Sequence, residues 1–182
     1  MKLFIISDIH GSSEYLKMAL DLFVKENTDY IVVLGDILYH GARNNLPQGY
    51  NPKEVTKMLN EYSKIIMAVK GNCESEVDQM VLEFPINAVY SNMVIGTRRI
   101  FMTHGHIYNE NNPVKLNNGD IFLNGHTHIY RAENIKGINY LNPGSITLPK
   151  NNNPHTYGIL EEDTFTIKDL KGNILLKYVM ED

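Results

Sequence analysis

The stretch K-L-F-I-I-S-D-I-H-G, residues 2–11, decides the fold. Lys2 to Ser7 is short and apolar at consecutive positions, the pattern of a strand buried on both faces. It runs directly into a carboxylate and an imidazole, Asp8 and His10, and then into Gly11, where the chain can turn. The same plan returns twice. Tyr30 to Leu34 is an apolar run that ends in Gly35-Asp36, and Ile65 to Val69 is one closed by Gly71-Asn72. Helical patterns lie between them. Leu16, Ala19, Leu20, Phe23 and Val24 recur at helical spacing behind a cap at Ser12 or Ser13. Pro52 suits the first turn of a helix running to about Tyr62, and a shorter helix is predicted from Ser75 to about Leu82. Residues 39–51 hold Gly, Pro and Asn without a period and read as a loop.

From Asn87 onward strand patterns dominate. Ala88 to Ile95 and Arg98 to Thr103 flank Gly96-Thr97; Asp120 to Asn124 follows. Tyr130 to Ile135 and Ile138 to Asn142 form a hairpin around Lys136-Gly137. Thr156 to Val179 divides into three strands, with turns at Glu162-Asp163 and Lys171-Gly172. A β-α-β-α-β half followed by a mostly antiparallel half fits two sheets packed face to face, with helices outside. The chain reads as a single domain, residues 1–182, without repeat or linker.

Seven side chains at the ends of these runs can bind a metal: Asp8, His10, Asp36, Asn72, His104, His126 and His128. All are oxygen or imidazole donors, a set suited to Mn²⁺, Fe²⁺, Zn²⁺ or Ni²⁺ and free of thiolates. Seven donors exceed what one ion needs and suffice for two that share a carboxylate. Taken singly, the pieces are weak, since Gly35-Asp36 or Gly71-Asn72 alone would pass as a turn. Five polar clusters at five apolar strand ends are hard to dismiss together, and open α/β sheets bind ligands at strand C-terminal ends.

Bulk properties narrow the field. A net charge of −4 offers no basic field for a nucleic-acid duplex. One cysteine rules out an internal disulfide and fits a reducing compartment. The first apolar run is too short for a signal peptide, and no stretch approaches the roughly 18 apolar residues of a membrane span, so a cytoplasmic location is expected.

In this order, D-x-H, G-D, G-N, H-G-H and G-H-x-H resemble the calcineurin-like metallophosphoesterases. Residues 72–80, N-C-E-S-E-V-D-Q-M, together with 40–50 and 142–145, resemble the small bacterial YfcE-type phosphodiesterases in particular. The resemblance implies a four-layer αββα sandwich of two mixed β-sheets flanked by helices. It also implies two divalent metal ions per chain, Mn²⁺ foremost. Asp8, His10 and His128 would hold the first ion, Asn72, His104 and His126 the second, and Asp36 with a hydroxide would bridge them. Two divalent ions outweigh Asp8, Asp36 and the hydroxide by one positive charge, which suits an anionic diester and its transition state. The implied activity is hydrolysis of small phosphodiesters by the bridging hydroxide, with Asp36, Asn72, Cys73 and His104 at the catalytic centre. A homo-oligomer, dimer or tetramer, is a further implication.

Many members of the wider superfamily carry His where this chain has Cys73. A thiol is a weaker proton donor, which favours diesters over monoesters, although Cys73 also reads as a small buried hydrophobe. Arg43, Asn44 and His40, just past Asp36, are candidate substrate-binding residues; Arg43 suits a phosphate oxygen. Glu74 either orients a neighbour or opens a helix, His106 competes with His104, and His155 reads as an exposed loop residue. Two rival functions remain: a phosphomonoesterase or nucleotidase on the same site, and a non-catalytic interaction scaffold of the same fold.

Overall fold

A computed structural model describes residues 1–180. Strand β1 (Lys2–Ile6) lies at the middle of a six-stranded sheet. It pairs in parallel with β2 (Tyr30–Val33), which pairs in parallel with β3 (Ile66–Ala68). Its other edge pairs antiparallel with β9 (Thr156–Glu161), which leads out to β10 (Thr164–Asp169) and β11 (Ile174–Val179). The C-terminal hairpin thus completes this sheet. The second sheet has five strands: β4 (Tyr90–Ile95), β5 (Arg98–Thr103), β6 (Ile121–Leu123), β8 (Ile138–Pro143) and β7 (Tyr130–Ile135), in that spatial order. The pairs β5–β6 and β6–β8 are parallel; the outer pairs are antiparallel.

Side-chain alternation along β1 divides the core. Phe4 and Ile6 pack under α1 (Ser13–Glu26) and α2 (Pro52–Asn60), with Leu16, Leu20, Val55 and Leu59. Leu3 and Ile5 point the other way and meet Ile100, Met102, Leu123 and Leu141 of the second sheet. The strand is therefore buried on both faces, as its apolar run predicts. Helix α3 (Glu76–Val81) follows β3. On the outer face of the second sheet, Phe101 and Phe122 stack at 5.7 Å and Phe122 meets Tyr140 at 5.2 Å. Tyr108, from the irregular segment 104–119, stands edge-on to Phe101. The expected class, two mixed sheets face to face with helices outside, is the observed one.

Several details differ from expectation. Val24 is exposed, and Leu22 is buried on α1 in its place. Asp120 stays outside β6 because its carboxylate accepts from the Asn117 backbone at 2.7 Å and from Arg99. Ile65 belongs to a 3₁₀ turn (Ser63–Ile65) that precedes β3. His155 is not a free loop residue: its ring stacks on Tyr15 at 4.0 Å, and its Nδ1 bonds the Ile146 carbonyl. Among the described residues, no helix is long and apolar enough to cross a membrane.

Candidate metal centre

All seven candidate donors sit just past the C-terminal ends of β1, β2, β3, β5 and β6, which meet at one edge of the sandwich. The loops after β1 and β2 continue the parallel pairing beyond the strands: Asp8 N donates to Gly35 O, His10 N to Asp36 O and Gly11 N to Ile37 O. Gly35 and Gly71 allow the second and third loops to touch, since a Cβ on Gly71 would lie 2.2 Å from Asp36 Oδ1. Five donors, Asp8, His10, Asp36, His126 and His128, have positive φ between 47° and 66°. Non-glycine residues rarely adopt this backbone, and it persists only where surrounding contacts over-determine it, commonly at functional sites.

The donors form two groups on either side of Asp36. On one side, His10 Nε2 lies 3.6 Å from Asp36 Oδ2, 3.9 Å from Asp8 Oδ1 and 3.4 Å from His128 Nε2. His128 Nε2 is 3.3 Å from Asp8 Oδ1. On the other side, His104 Nε2 lies 3.5 Å from Asp36 Oδ1, 3.1 Å from Asn72 Oδ1 and 3.2 Å from His126 Nδ1.

The arrangement fits cations. His10, His104 and His128 each use Nδ1 on a backbone carbonyl, that of Tyr39 at 2.9 Å and of Leu34 and Leu148 at 2.6 Å. This leaves each Nε2 lone pair turned toward the centre, the usual orientation for metal-ligating histidine. Lone pairs that face one another at 3.2–3.4 Å call for a shared cation or proton. Asp8 Oδ1 is buried and accepts no hydrogen bond, an orphan that a metal would satisfy.

The electrostatics agree. Burial alone would favour neutral carboxyls, yet His128 and His104 hold Asp8 below its ordinary range, and His104 and His10 do the same for Asp36. Burial opposes a charge on His104, but Asp36 and Asp8 outweigh it and push the imidazole up to about 9. In His10 and His126 burial prevails and the pKa falls. Burial, and then the charge of Asp36, push the Cys73 thiol up, so it stays neutral.

Glu74 resolves as an orienting residue. Its buried carboxylate accepts from the backbone N–H of Asp36 (3.1 Å), Ile37 (2.6 Å) and Gly71, clamping two ligand loops together. Arg43 and Asn44 line a cavity of about 540 Å³ over the centre, along with Asn72, Cys73 and His126. His40 is not brought to it; its ring packs between Tyr39 and Tyr50, and its carbonyl accepts from Asn44 Nδ2. His106 stands behind His104, 5.4 Å between ring centres. Lys150, which the sequence reading missed, also lines the cavity. The only signal was its place five residues beyond N-P-G-S.

A family model for the calcineurin-like phosphoesterase superfamily domain matches residues 1–164. The chain is 43% identical over 179 residues to phosphodiesterase YfcE of Escherichia coli, covering 98% of this chain and 97% of that one. It is 29% identical to the probable metallophosphoesterase YsnB of Bacillus subtilis, over 95% of this chain and 94% of the other. The solved structure of the phosphoesterase YfcE from E. coli superposes with a TM-score of 0.97 at 42% identity and covers all of both chains.

Proposed function

The chain belongs to the calcineurin-like phosphoesterase superfamily, and from that premise we propose a two-metal phosphodiesterase that hydrolyses small phosphodiesters. One observation carries this reading: Asp36 turns one oxygen toward each of two donor groups. Asp8, His10 and His128 would hold one ion beside Asp36 Oδ2, and Asn72, His104 and His126 would hold the other beside Asp36 Oδ1. The donor set accepts Mn²⁺, which we assign, and equally Fe²⁺, Zn²⁺ or Ni²⁺. When bound, such ions would activate water as the nucleophile and would offer positive charge to the transition state.

The chain's own groups do the rest. The carbonyls of Tyr39, Leu34 and Leu148 fix the histidine tautomers. Glu74 holds the Asp36 and Asn72 loops in register. Arg43 and Lys150 present positive charge to the phosphoryl oxygens from opposite loops. Asn44, already bonded to the His40 carbonyl, braces the Arg43 loop. The neutral Cys73 thiol is a weak donor to a leaving oxygen, which favours diesters with leaving groups that need little protonation.

The test is metal content after purification, then initial rates on bis(4-nitrophenyl) phosphate and 4-nitrophenyl phosphate with Mn²⁺. Two ions per chain and faster diester turnover are expected. A faster monoester rate would favour the monoesterase, and a metal-free, inert protein the scaffold.

A further inference from the structure

A second cavity, of about 690 Å³, lies beside the one over the metal centre. Its size falls within the roughly 300–1,000 Å³ of small-molecule sites. Leu38, Tyr39 and Tyr50 form one wall, on the loop after β2; Val77 and Val81, on α3, form the other. Its charged lining is one group of each sign, Lys53 and Asp78, so it offers no net attraction to an anion. It adjoins the metal-side cavity, since Tyr39 and Cys73 line both. Tyr39, Val77 and Val81 remain exposed, apolar surface that a ligand would cover.

The metal-side cavity is polar and carries Arg43 and Lys150, whereas its neighbour is apolar and aromatic. A phosphodiester has the same division, a charged phosphoryl group with organic substituents. We propose that the Tyr39–Val81 cavity receives an aromatic substituent of the substrate while its phosphoryl group sits at the metals, so that the enzyme selects aryl or nucleobase-bearing diesters. This rests on the two-metal reading above. Two features favour an aromatic group. Two tyrosines are among its lining residues, suited to an aromatic partner, and the apolar walls gain from displacing water without requiring a charge. Tyr39 also ties the two cavities together, since it lines both and its carbonyl accepts from His10 Nδ1.

The experiment is titration calorimetry of Mn²⁺-loaded protein with phenylphosphonate and methylphosphonate, which share one anionic head and differ only in the organic group. Phenylphosphonate should bind about 10–100-fold more tightly, as burial of a ring implies. Thr56→Phe, which fills the cavity from α2, and Val81→Asp, which charges its wall, should each erase most of that preference and leave methylphosphonate binding unchanged. Equal affinities in the wild type, or a preference that survives both substitutions, would overturn the proposal while diester hydrolysis continued. If neither phosphonate binds and no diester is hydrolysed, the two-metal reading falls, and the cavity assignment with it.

Discussion

The two sides of Asp36 differ in how far they are withdrawn from water. On the Oδ2 side, Asp8, His10 and His128 are 0%, 1% and 6% exposed. On the Oδ1 side, His104 is equally buried, but Asn72 is exposed and His126 only partly covered. Charge follows the same division. The buried side has Asp8 in addition to its share of Asp36, while the open side pairs that share with a neutral amide. A cation on the buried side meets more negative charge in a lower dielectric, so it should bind more tightly. The contrast predicts one tightly held cation and one that exchanges more readily.

The strongest way to break the comparison is Asp36→Asn, which removes the charge both sides share. Activity on bis(4-nitrophenyl) phosphate should fall by about a thousandfold or more, with the circular dichroism spectrum unchanged. A variant that still bound two ions and turned over normally would end the two-sided description.

Next comes the contrast between His10→Ala and His126→Ala, read by Mn²⁺ titration. Loss of His10 should weaken the tighter step by more than the about 10–100-fold typical of outer-shell changes. Loss of His126 should weaken only the looser step. Equal effects on both steps would mean that burial does not rank the sides.

pH sharpens the comparison further. His104 in the metal-free protein keeps its proton up to about 9, above an imidazole's ordinary value, and an ion must displace that proton. Affinity on the open side should therefore climb by about tenfold per pH unit from near neutrality to about 9. The sign for stability is opposite. A raised folded-state pKa stabilises the metal-free fold fully below the unfolded value and loses that contribution as pH rises through about 9. Metal titrations and melting curves between pH 6 and 9.5 should cross in this way. The reference imidazole value alone would have placed the fall in affinity lower, near 6.5.

The smallest effect concerns Cys73→His. It should raise the ratio of monoester to diester rates by about tenfold, through proton donation to the poorer leaving group. A fully metallated variant with an unchanged ratio would move the origin of the preference away from residue 73.

Much of this was legible because β1 and β2 are buried on both faces and break abruptly into Asp8, His10 and Asp36. Donor types and strand ends need only local pattern. What stayed hidden depends on distant chain. The left-handed backbone at five donors is imposed by loop-to-loop bonds such as Asp8 N to Gly35 O. The carbonyl that orients His104 belongs to Leu34, 70 residues away, and Glu74 reaches back 38 residues to Asp36. His155 looked free because its partner, Tyr15, lies at the other end of the chain. The Tyr39–Val81 cavity joins a loop to a helix about 40 residues downstream, and no periodicity marks such a pairing.

The position of β1 between β2 and β9 bears on how the protein is made. All seven donors lie at or before residue 128, yet β9 begins only at Thr156. A growing chain therefore carries its complete ligand set while K-L-F-I-I still has one open edge, apolar on both faces and competent to pair with any other strand. The segment from Thr156 onward, which contributes no donor, covers that edge as an internal guard. A fragment ending between His128 and Thr156 should precipitate instead of serving as a minimal enzyme.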